Sequence, residues 1–183
     1  YFVAPFGKEA VAAFGIGMRI EQIFLMPVIG LNIATLAIVS QNNGAKVYER
    51  IAPTVRLGVL YGWVISTIGV MSFLLFADYF ASLMTSDIVV IQQTALYLRV
   101  SGIASYGFVV IFIYIAMLQG VGKPAVIMPV SIYRQVLAPI LVFSLFAWME
   151  LDILSLWIGL DMIIFSSALF LWWYGKKKLK MLD

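Results

Sequence analysis

Long apolar stretches separated by short polar segments dominate the chain. Residues 57–77 carry no charged side chain, and they are bounded by Arg56 and Asp78. A second uncharged run lies between Arg99 and Lys123. A bilayer core about 30 Å thick requires about 20 apolar residues in a helix, which pairs its backbone polar groups internally. Both runs are therefore predicted to be membrane-spanning helices.

The same criterion predicts five spans and an all-α, polytopic transmembrane bundle that forms a single lobe. The predicted spans cover, approximately, residues 11–39, 57–77, 93–119, 124–149 and 153–175. Residues 41–56, which contain Pro53, are expected to form a cytoplasmic loop that could include a surface helix before the second span, and residues 176–183 a cytoplasmic tail. Five spans cannot form an inverted or parallel repeat by themselves, so we expect the chain to be part of a longer protein.

The distribution of charge orients these spans. Alternate ends carry Lys46, Arg50, Arg56, Lys123 and the lysines of the tail, whereas the opposite loops carry Asp78, Asp87, Glu150 and Asp152. Cytoplasmic loops are enriched in lysine and arginine. The start of the chain is therefore predicted to lie outside and its end in the cytoplasm, where Trp172, Trp173 and Tyr174 would mark the membrane interface.

Composition excludes most soluble-enzyme chemistry. Of 183 residues, 63% are hydrophobic and 11% charged, whereas soluble domains contain about 25% charged residues. The chain contains no cysteine and no histidine, so thiol nucleophiles, thiolate metal sites and imidazole proton shuttles are excluded. We expect neither an enzyme nor a bound cofactor, and no nucleic-acid partner, because the basic residues lie between apolar runs.

Glu21 is the first candidate functional residue, because ionisable groups inside a span are costly and usually face a cavity. Pro27 and Gly30 follow in the same span and would permit a helix kink. A carboxylate in a partly dry cavity favours its protonated form, so Glu21 could exchange a proton for a cation. The alternative is a structural ion pair, with Arg19, Arg99 or Arg134 as the possible partner.

Asp161 and Arg134 are the other charged candidates inside spans. Asp161 lies one turn after Trp157 in the last span and could line a cavity or be reached by water from outside. Arg134 could extend its side chain to the interface or pair with an acidic residue elsewhere.

Polar and aromatic side chains in residues 93–119 form another candidate surface. Ser105 and Tyr106 lie beside Gly102 and Gly107, which would allow close helix approach. Such a face could bind flat cations through cation–π contacts. Ordinary helix packing is the competing interpretation. The chain lacks phosphate-loop, zinc-protease and serine-hydrolase motifs, so an ion gradient is the expected energy source.

Three ordered segments resemble bacterial transporters of the multidrug and toxic compound extrusion (MATE) family. Residues 12–21, followed by Pro27, Gly30 and residues 39–45, resemble the eighth helix of that family. Residues 118–124 resemble its turn between helices ten and eleven, and residues 133–135 its Arg-Gln signature in helix eleven. On these anchors the chain resembles the C-terminal lobe, from the end of helix seven to helix twelve.

The resemblance implies multidrug antiport in the cytoplasmic (inner) membrane. Members of the MATE family, which is part of the MOP superfamily, have two six-helix lobes around a central cavity. They exchange H+ or Na+ for organic cations by alternating access. The implied partners are the lipid bilayer, amphipathic organic cations and an N-terminal six-helix lobe. One departure from the family pattern is Phe108, which stands where some members place a cation-binding acid in the tenth helix.

Two other functions remain as alternatives. A lipid-linked precursor flippase of the same superfamily would need several basic residues for pyrophosphate, and only Arg19, Arg99 and Arg134 are available. A channel or membrane scaffold is the third possibility, although no conduction motif supports it.

Overall fold

A computed structural model of the chain describes residues 3–181, and within that range every regular element is helical. The α-helices are α1 (Lys8–Gly44), α2 (Ile51–Ser82), α3 (Ile88–Ser101), α4 (Ala104–Gly120), α5 (Ile127–Ile132), α6 (Ala138–Trp148) and α7 (Ile153–Leu179). Single 3-10 turns occur at Ala4–Phe6, Tyr48–Arg50 and Pro124–Val126, and a π-helical turn, Tyr133–Leu137, joins α5 to α6.

The helices give four to five membrane spans, which confirms the predicted all-α bundle. Within residues 3–181, four helical segments are long and apolar enough to cross a bilayer: Lys8–Gly44, Tyr48–Ser82, Pro124–Trp148 and Ile153–Leu179. The pair α3 and α4 meets the same criterion when taken together, with a bend of 53° between them. Counted as one span, this pair brings the total to five.

The bend between α3 and α4 falls within the span predicted for residues 93–119, and the structure also starts this segment earlier, at Ile88. At Gly102, a Cβ atom would lie 2.6 Å from the Leu98 carbonyl oxygen and 2.8 Å from the Phe73 ring. Only glycine fits there without displacing a neighbour. The segment predicted as one span therefore consists of two helices joined by a bend at Gly102.

The predicted loop at residues 41–56 is also wrong at both ends. Helix α1 continues to Gly44, with Asn43 Nδ2 donating to the Gly120 carbonyl at 3.2 Å. Helix α2 begins at Ile51, so no separate surface helix forms around Pro53. The amide groups of Asn42 and Asn43 donate to the carbonyls of Ile38 and Gly120, and the backbone stays helical through both residues.

The predicted tail is helical over its first residues, because α7 continues to Leu179. Three lysines there fold back over aromatic rings one turn earlier, and Lys176 Nζ lies 3.9 Å from the centre of the Trp172 ring. Cation–π contacts of this kind are stabilising where aromatic and basic groups meet. Residues 182–183 lie outside the described part of the chain.

Two acidic loop residues have a local structural role. Asp87 accepts hydrogen bonds from the backbone N–H groups of Val89 and Val90 and caps α3. Asp152 caps α7 in the same way through Ser155. Such caps satisfy backbone donors that a helix leaves unpaired at its start.

Helix α4 is the centre of the bundle and packs against α1, α2 and α7. Its apolar side chains are buried on nearly all sides, whereas about half of the residues of α1 and α2 are exposed. Helix α1 runs without interruption through Pro27 and Gly30. Non-helical backbone within a helix occurs instead at Phe76 of α2. The exposed apolar faces of the outer helices are those that a bilayer would cover.

Candidate functional site

A cavity of about 370 Å³ lies among α1, α3, α4, α7 and the span that contains α5 and α6. It brings together three of the residues singled out from sequence, namely Glu21, Arg134 and Asp161. These residues come from three different helical segments, far apart in the sequence. We call this space the wide cavity.

Glu21 is held in the wide cavity by a tyrosine. Tyr97 donates its hydroxyl to Glu21 Oε2 at 2.7 Å. Among the described residues, Glu21 forms no ion pair with any of its three candidate partners, and Arg99 pairs with Asp78 instead. The predicted alternative, in which an arginine neutralises Glu21, is therefore not supported by the structure.

Close packing fixes the Tyr97 ring. It lies directly against Gly17, where an added Cβ atom would be 2.3 Å from Tyr97 Cδ1. The ring also makes edge contacts with Trp157 and Phe14, with centroids 5.0 and 5.6 Å away, and Phe14 stacks on Trp157. Tyr97 thus has little freedom to turn its hydroxyl away from Glu21.

Asp161 brings a second carboxyl group into the wide cavity from α7. Its Oδ1 atom is buried and has no hydrogen-bond partner in the described part of the chain. Buried polar atoms are normally partnered, and an exception calls for an explanation. Asp161 Oδ1 is therefore available to a ligand or a proton, whereas Glu21 Oε2 already accepts the Tyr97 hydroxyl.

Arg134 reaches the wide cavity from the π-helical turn. Its guanidinium carbon lies 5.7 Å from the centre of the Phe108 ring, within cation–π distance. The neighbouring Tyr133, in the same turn, contacts α7 outside the wide cavity, and its hydroxyl lies 3.1 Å from Ser166 Oγ. A π-turn is often found at functional sites.

The remaining sequence candidates lie elsewhere. Arg19 is exposed and does not line the wide cavity. Tyr106 faces α2, where its hydroxyl lies 2.9 Å from Thr67 Oγ1 and its carbonyl accepts a bond from Trp63. Ser105 borders a separate small cavity together with Glu21.

Tyr97 and Ser66 were not identified from the sequence. Tyr97 lies one helical turn before Ser101, and both line the wide cavity; this spacing is the signal that could have identified the tyrosine. Ser66 borders the small cavity with Ser105. Nothing in the sequence distinguishes Ser66 from the other hydroxyl residues of α2.

A family model described as MatE matches residues 1–144 of the chain. The chain is 28% identical over 172 residues to a probable multidrug resistance protein NorM of Thermotoga maritima, covering 89% of this chain and 36% of that protein. It is 27% identical over 135 residues to an FAD transporter of Shewanella oneidensis, covering 74% and 30%. The chain thus spans about a third of the length of these relatives.

A solved structure has the same fold. The MATE transporter VcmN of Vibrio cholerae, in its bent form, superposes with a TM-score of 0.90 at 24% sequence identity. The alignment covers 99% of this chain and 41% of that one.

Proposed function

Because the chain belongs to the MatE family, we propose that it forms one lobe of a secondary transporter that exports organic cations in exchange for H+ or Na+. The predicted resemblance to the C-terminal half of a MATE transporter is confirmed, as is the multi-pass helical architecture. The substrate, the coupling ion, alternating access and the position in the cytoplasmic membrane, with the chain's start outside and its end in the cytoplasm, belong to the proposal.

The observation that carries this proposal is the acidic character of the wide cavity. Glu21 and Asp161 both line it, and neither forms an ion pair among the described residues. Ionisable groups inside a membrane protein usually mark ion or substrate pathways. Aromatic side chains of Phe14, Phe108 and Tyr97 line the same space, which suits a flat organic cation.

The same cavity disfavours an anionic substrate. Among the described residues, Arg134 is the single basic residue that lines it, against two carboxyl groups, whereas pyrophosphate recognition commonly uses several arginines or lysines. A lipid-linked precursor flippase is therefore the less favoured alternative. FAD, the substrate of the Shewanella relative, also carries a pyrophosphate and is disfavoured for the same reason.

The proposal includes a second lobe as a partner. This chain covers 30 to 41% of the relatives reported above, and exchange between two sides of a membrane requires the cavity to open in turn to each side. An N-terminal six-helix lobe and the surrounding bilayer would supply the other walls.

Ethidium efflux from cells that express the full-length protein tests this function. The sodium and proton gradients are collapsed in separate experiments, and we expect efflux to stop in one of them and to continue in the other. We also expect Glu21→Gln to abolish gradient-driven efflux at equal protein level, because the amide can neither release a proton nor neutralise a cation.

Glu9→Gln is the matched control, since Glu9 lies on the same helix but pairs with Lys8 at its exposed start. Efflux that survives Glu21→Gln but still depends on a gradient would assign Glu21 a structural role. Absence of efflux under every condition would contradict multidrug export.

A further inference from the structure

A cleft of about 390 Å³ lies between α7 and the helical segment that contains α5. Its walls consist of Val126, Pro129, Val130, Tyr133, Ser166, Ser167 and Phe170, and we call it the apolar cleft. The apolar cleft shares no lining residue with the wide cavity, and within residues 3–181 no charged side chain lines it. It is therefore a separate space, and its chemistry does not suit the organic cation proposed for the wide cavity.

The apolar cleft is open to the outside of the bundle. Tyr133, Ser166 and Phe170 on its walls are exposed, whereas Val130 and Ser167 are buried at its floor. In a membrane protein, an exposed surface at this depth of a span meets lipid rather than water. The occupant of the cleft is therefore expected to be apolar over most of its length.

Two hydroxyl groups meet at one end of the apolar cleft. The Tyr133 hydroxyl lies 3.1 Å from Ser166 Oγ, and Ser166 donates to the Ile163 carbonyl at 2.8 Å. Ser167 donates to the same carbonyl at 2.9 Å. Because these hydroxyls have partners within the protein, a hydrocarbon chain can cover them without leaving a polar atom unpaired.

The other end of the apolar cleft leads to basic residues on both walls. Residues three and four positions apart lie on one face of a helix, and on α7 this face carries Ser166, Phe170, Trp173 and Lys177 in order. The Phe170 and Trp173 ring centres lie 6.3 Å apart, and Lys177 Nζ lies 5.9 Å from the centre of the Trp173 ring. On the facing wall, the exposed Lys123 comes three residues before the first lining residue.

Both walls have the depth of one bilayer leaflet. At about 1.5 Å per residue, the helix rises about 17 Å from Ser166 to Lys177 and about 15 Å from Tyr133 back to Lys123. Half of a hydrocarbon core about 30 Å thick is also about 15 Å. With the lysines at the interface, the hydroxyl pair lies near the middle of the bilayer. The cleft and its approach therefore match the length of a lipid from head group to chain end.

The charge at the open end selects the kind of lipid. In the described part of the chain, neither Lys123 nor Lys177 forms an ion pair with an acidic side chain. Basic pockets between transmembrane helices bind the head groups of anionic lipids. A zwitterionic head group would bring its own positive charge to the same lysines and is less favoured.

We propose that the apolar cleft, with Lys123 and Lys177 at its open end, is a binding site for one anionic phospholipid of the surrounding bilayer. One acyl chain lies along the apolar walls, and the phosphate accepts hydrogen bonds from the two lysines. The site does not rest on the transport function proposed above. It does adjoin the wide cavity, because Tyr133 lines the cleft and the next residue, Arg134, lines the wide cavity.

Native mass spectrometry of the purified full-length protein tests the head-group preference. The probes are phosphatidylglycerol and phosphatidylcholine with identical acyl chains. We expect the parent protein to bind phosphatidylglycerol at least about fivefold more tightly, since one lysine near a membrane surface contributes about that factor. The double variant Lys123→Gln and Lys177→Gln should lose this preference and keep its affinity for phosphatidylcholine within about twofold.

The matched control removes the same charge at the same end of the bundle. Lys46 follows α1, whose Asn43 contacts Gly120 near Lys123, and Lys176 lies over Trp172, away from the cleft face of α7. The double variant Lys46→Gln and Lys176→Gln should therefore retain the preference for phosphatidylglycerol. Equal loss in both double variants would show a general effect of charge and would overturn the site.

A filling variant tests the apolar part of the site. Ser166→Phe places a ring in the cleft and should weaken binding of both lipids at least about tenfold, because the acyl chain loses its contacts. Leu169→Phe adds an aromatic ring to an exposed position of α7 that does not line the cleft, and it should bind as the parent does. Circular dichroism checks that each variant is folded.

Photochemical cross-linking locates the lipid in the bilayer. Phosphatidylglycerol with a photoactivatable acyl chain should label peptides that contain residues 126–133 and 166–170. Equal affinity of the parent for the two lipids would overturn the proposal, as would equal weakening by Ser166→Phe and Leu169→Phe. Cross-links between these residues and a helix of the second lobe, without lipid labelling, would show that protein fills the cleft and would also overturn it.

Discussion

Helix α4 and the span that contains α5 and α6 are both apolar helical segments of one bundle, but they have opposite surroundings. In α4, Ile113 and Met117 are fully buried. In α6, the side chains of Leu141 and Trp148 are 69% and 81% exposed. Similar composition has therefore produced a buried helix in one place and an exposed helix in the other.

The difference shows that burial in a membrane protein depends on neighbours rather than on hydropathy. Helix α4 contacts α1, α2 and α7, whereas α6 contacts chiefly α7 and the π-helical turn. The less surrounded span is also the one that contains the π-helical turn with Arg134. Fewer close neighbours leave room for an irregular turn, and in this bundle that turn directs a charged side chain into the wide cavity.

The comparison of α4 with α6 can be tested by truncating one side chain in each helix. The largest loss of unfolding free energy is expected for the buried side chain of α4. Ile113→Ala should lower the free energy of unfolding by about 2 to 5 kcal/mol, because α4 has neighbours on every side and a cavity would remain. Leu141→Ala should lower it by less than about 1 kcal/mol, since lipid replaces the lost contacts. Unfolding in mixed micelles, followed by circular dichroism, measures both. Equal losses at the two positions would show that the spans are equally well packed.

A smaller effect is expected from adding one methyl group where α2 meets α4. At Gly62, an added Cβ atom would lie 2.4 Å from Val109 Cγ1, so Gly62→Ala should cost about 1 to 3 kcal/mol through overpacking. Gly30 has no atom within 4 Å of such a Cβ, and Gly30→Ala should be neutral or stabilising by up to about 1 kcal/mol. The same unfolding assay applies, and a Gly62→Ala protein as stable as its parent would refute tight contact between the two helices.

The smallest effect is expected in the less surrounded span. Tyr133→Phe removes the hydroxyl contact with Ser166, which is exposed, and should cost less than about 1 kcal/mol. A double-mutant cycle with Ser166→Ala isolates the pair. A coupling energy as large as the Ile113→Ala loss would mean that this contact, rather than packing on α4, holds the span in place.

Much of the fold could be predicted from sequence, but the irregular points could not. Runs of uncharged residues located the spans, because a helix of about 20 apolar residues is the simplest way to cross a bilayer. Gly102 was identified as a small residue for close packing, and its role in the bend emerged only from its distance to Leu98 and Phe73. The polar end of α1 is helical to Gly44, and its Asn43 side chain donates to the Gly120 carbonyl of α4, a contact that only the tertiary structure reveals.

The charged residues of the candidate site could be predicted from the sequence, but the hydrogen bonds and contacts between its residues could not. Glu21, Asp161 and Arg134 stood out because charge inside a span is costly, and the structure places all three at the wide cavity. Tyr97, which holds Glu21, was missed because tyrosine in an apolar run has no distinguishing cost. Arg19 and Tyr106 satisfied the same sequence criteria as the others and lie away from the wide cavity.

The sequence by itself determined that the chain is a helical membrane protein, which charges lie within its spans, and which family it resembles. Transfer free energies act residue by residue, so hydropathy and charge can be read locally. Only the tertiary structure decided that Tyr97 bonds Glu21, that α4 is the core, and that Ser66 and Ser105 share a cavity with Glu21. Those facts depend on which helix faces come together, and in an apolar environment many faces are nearly equivalent until close packing selects among them.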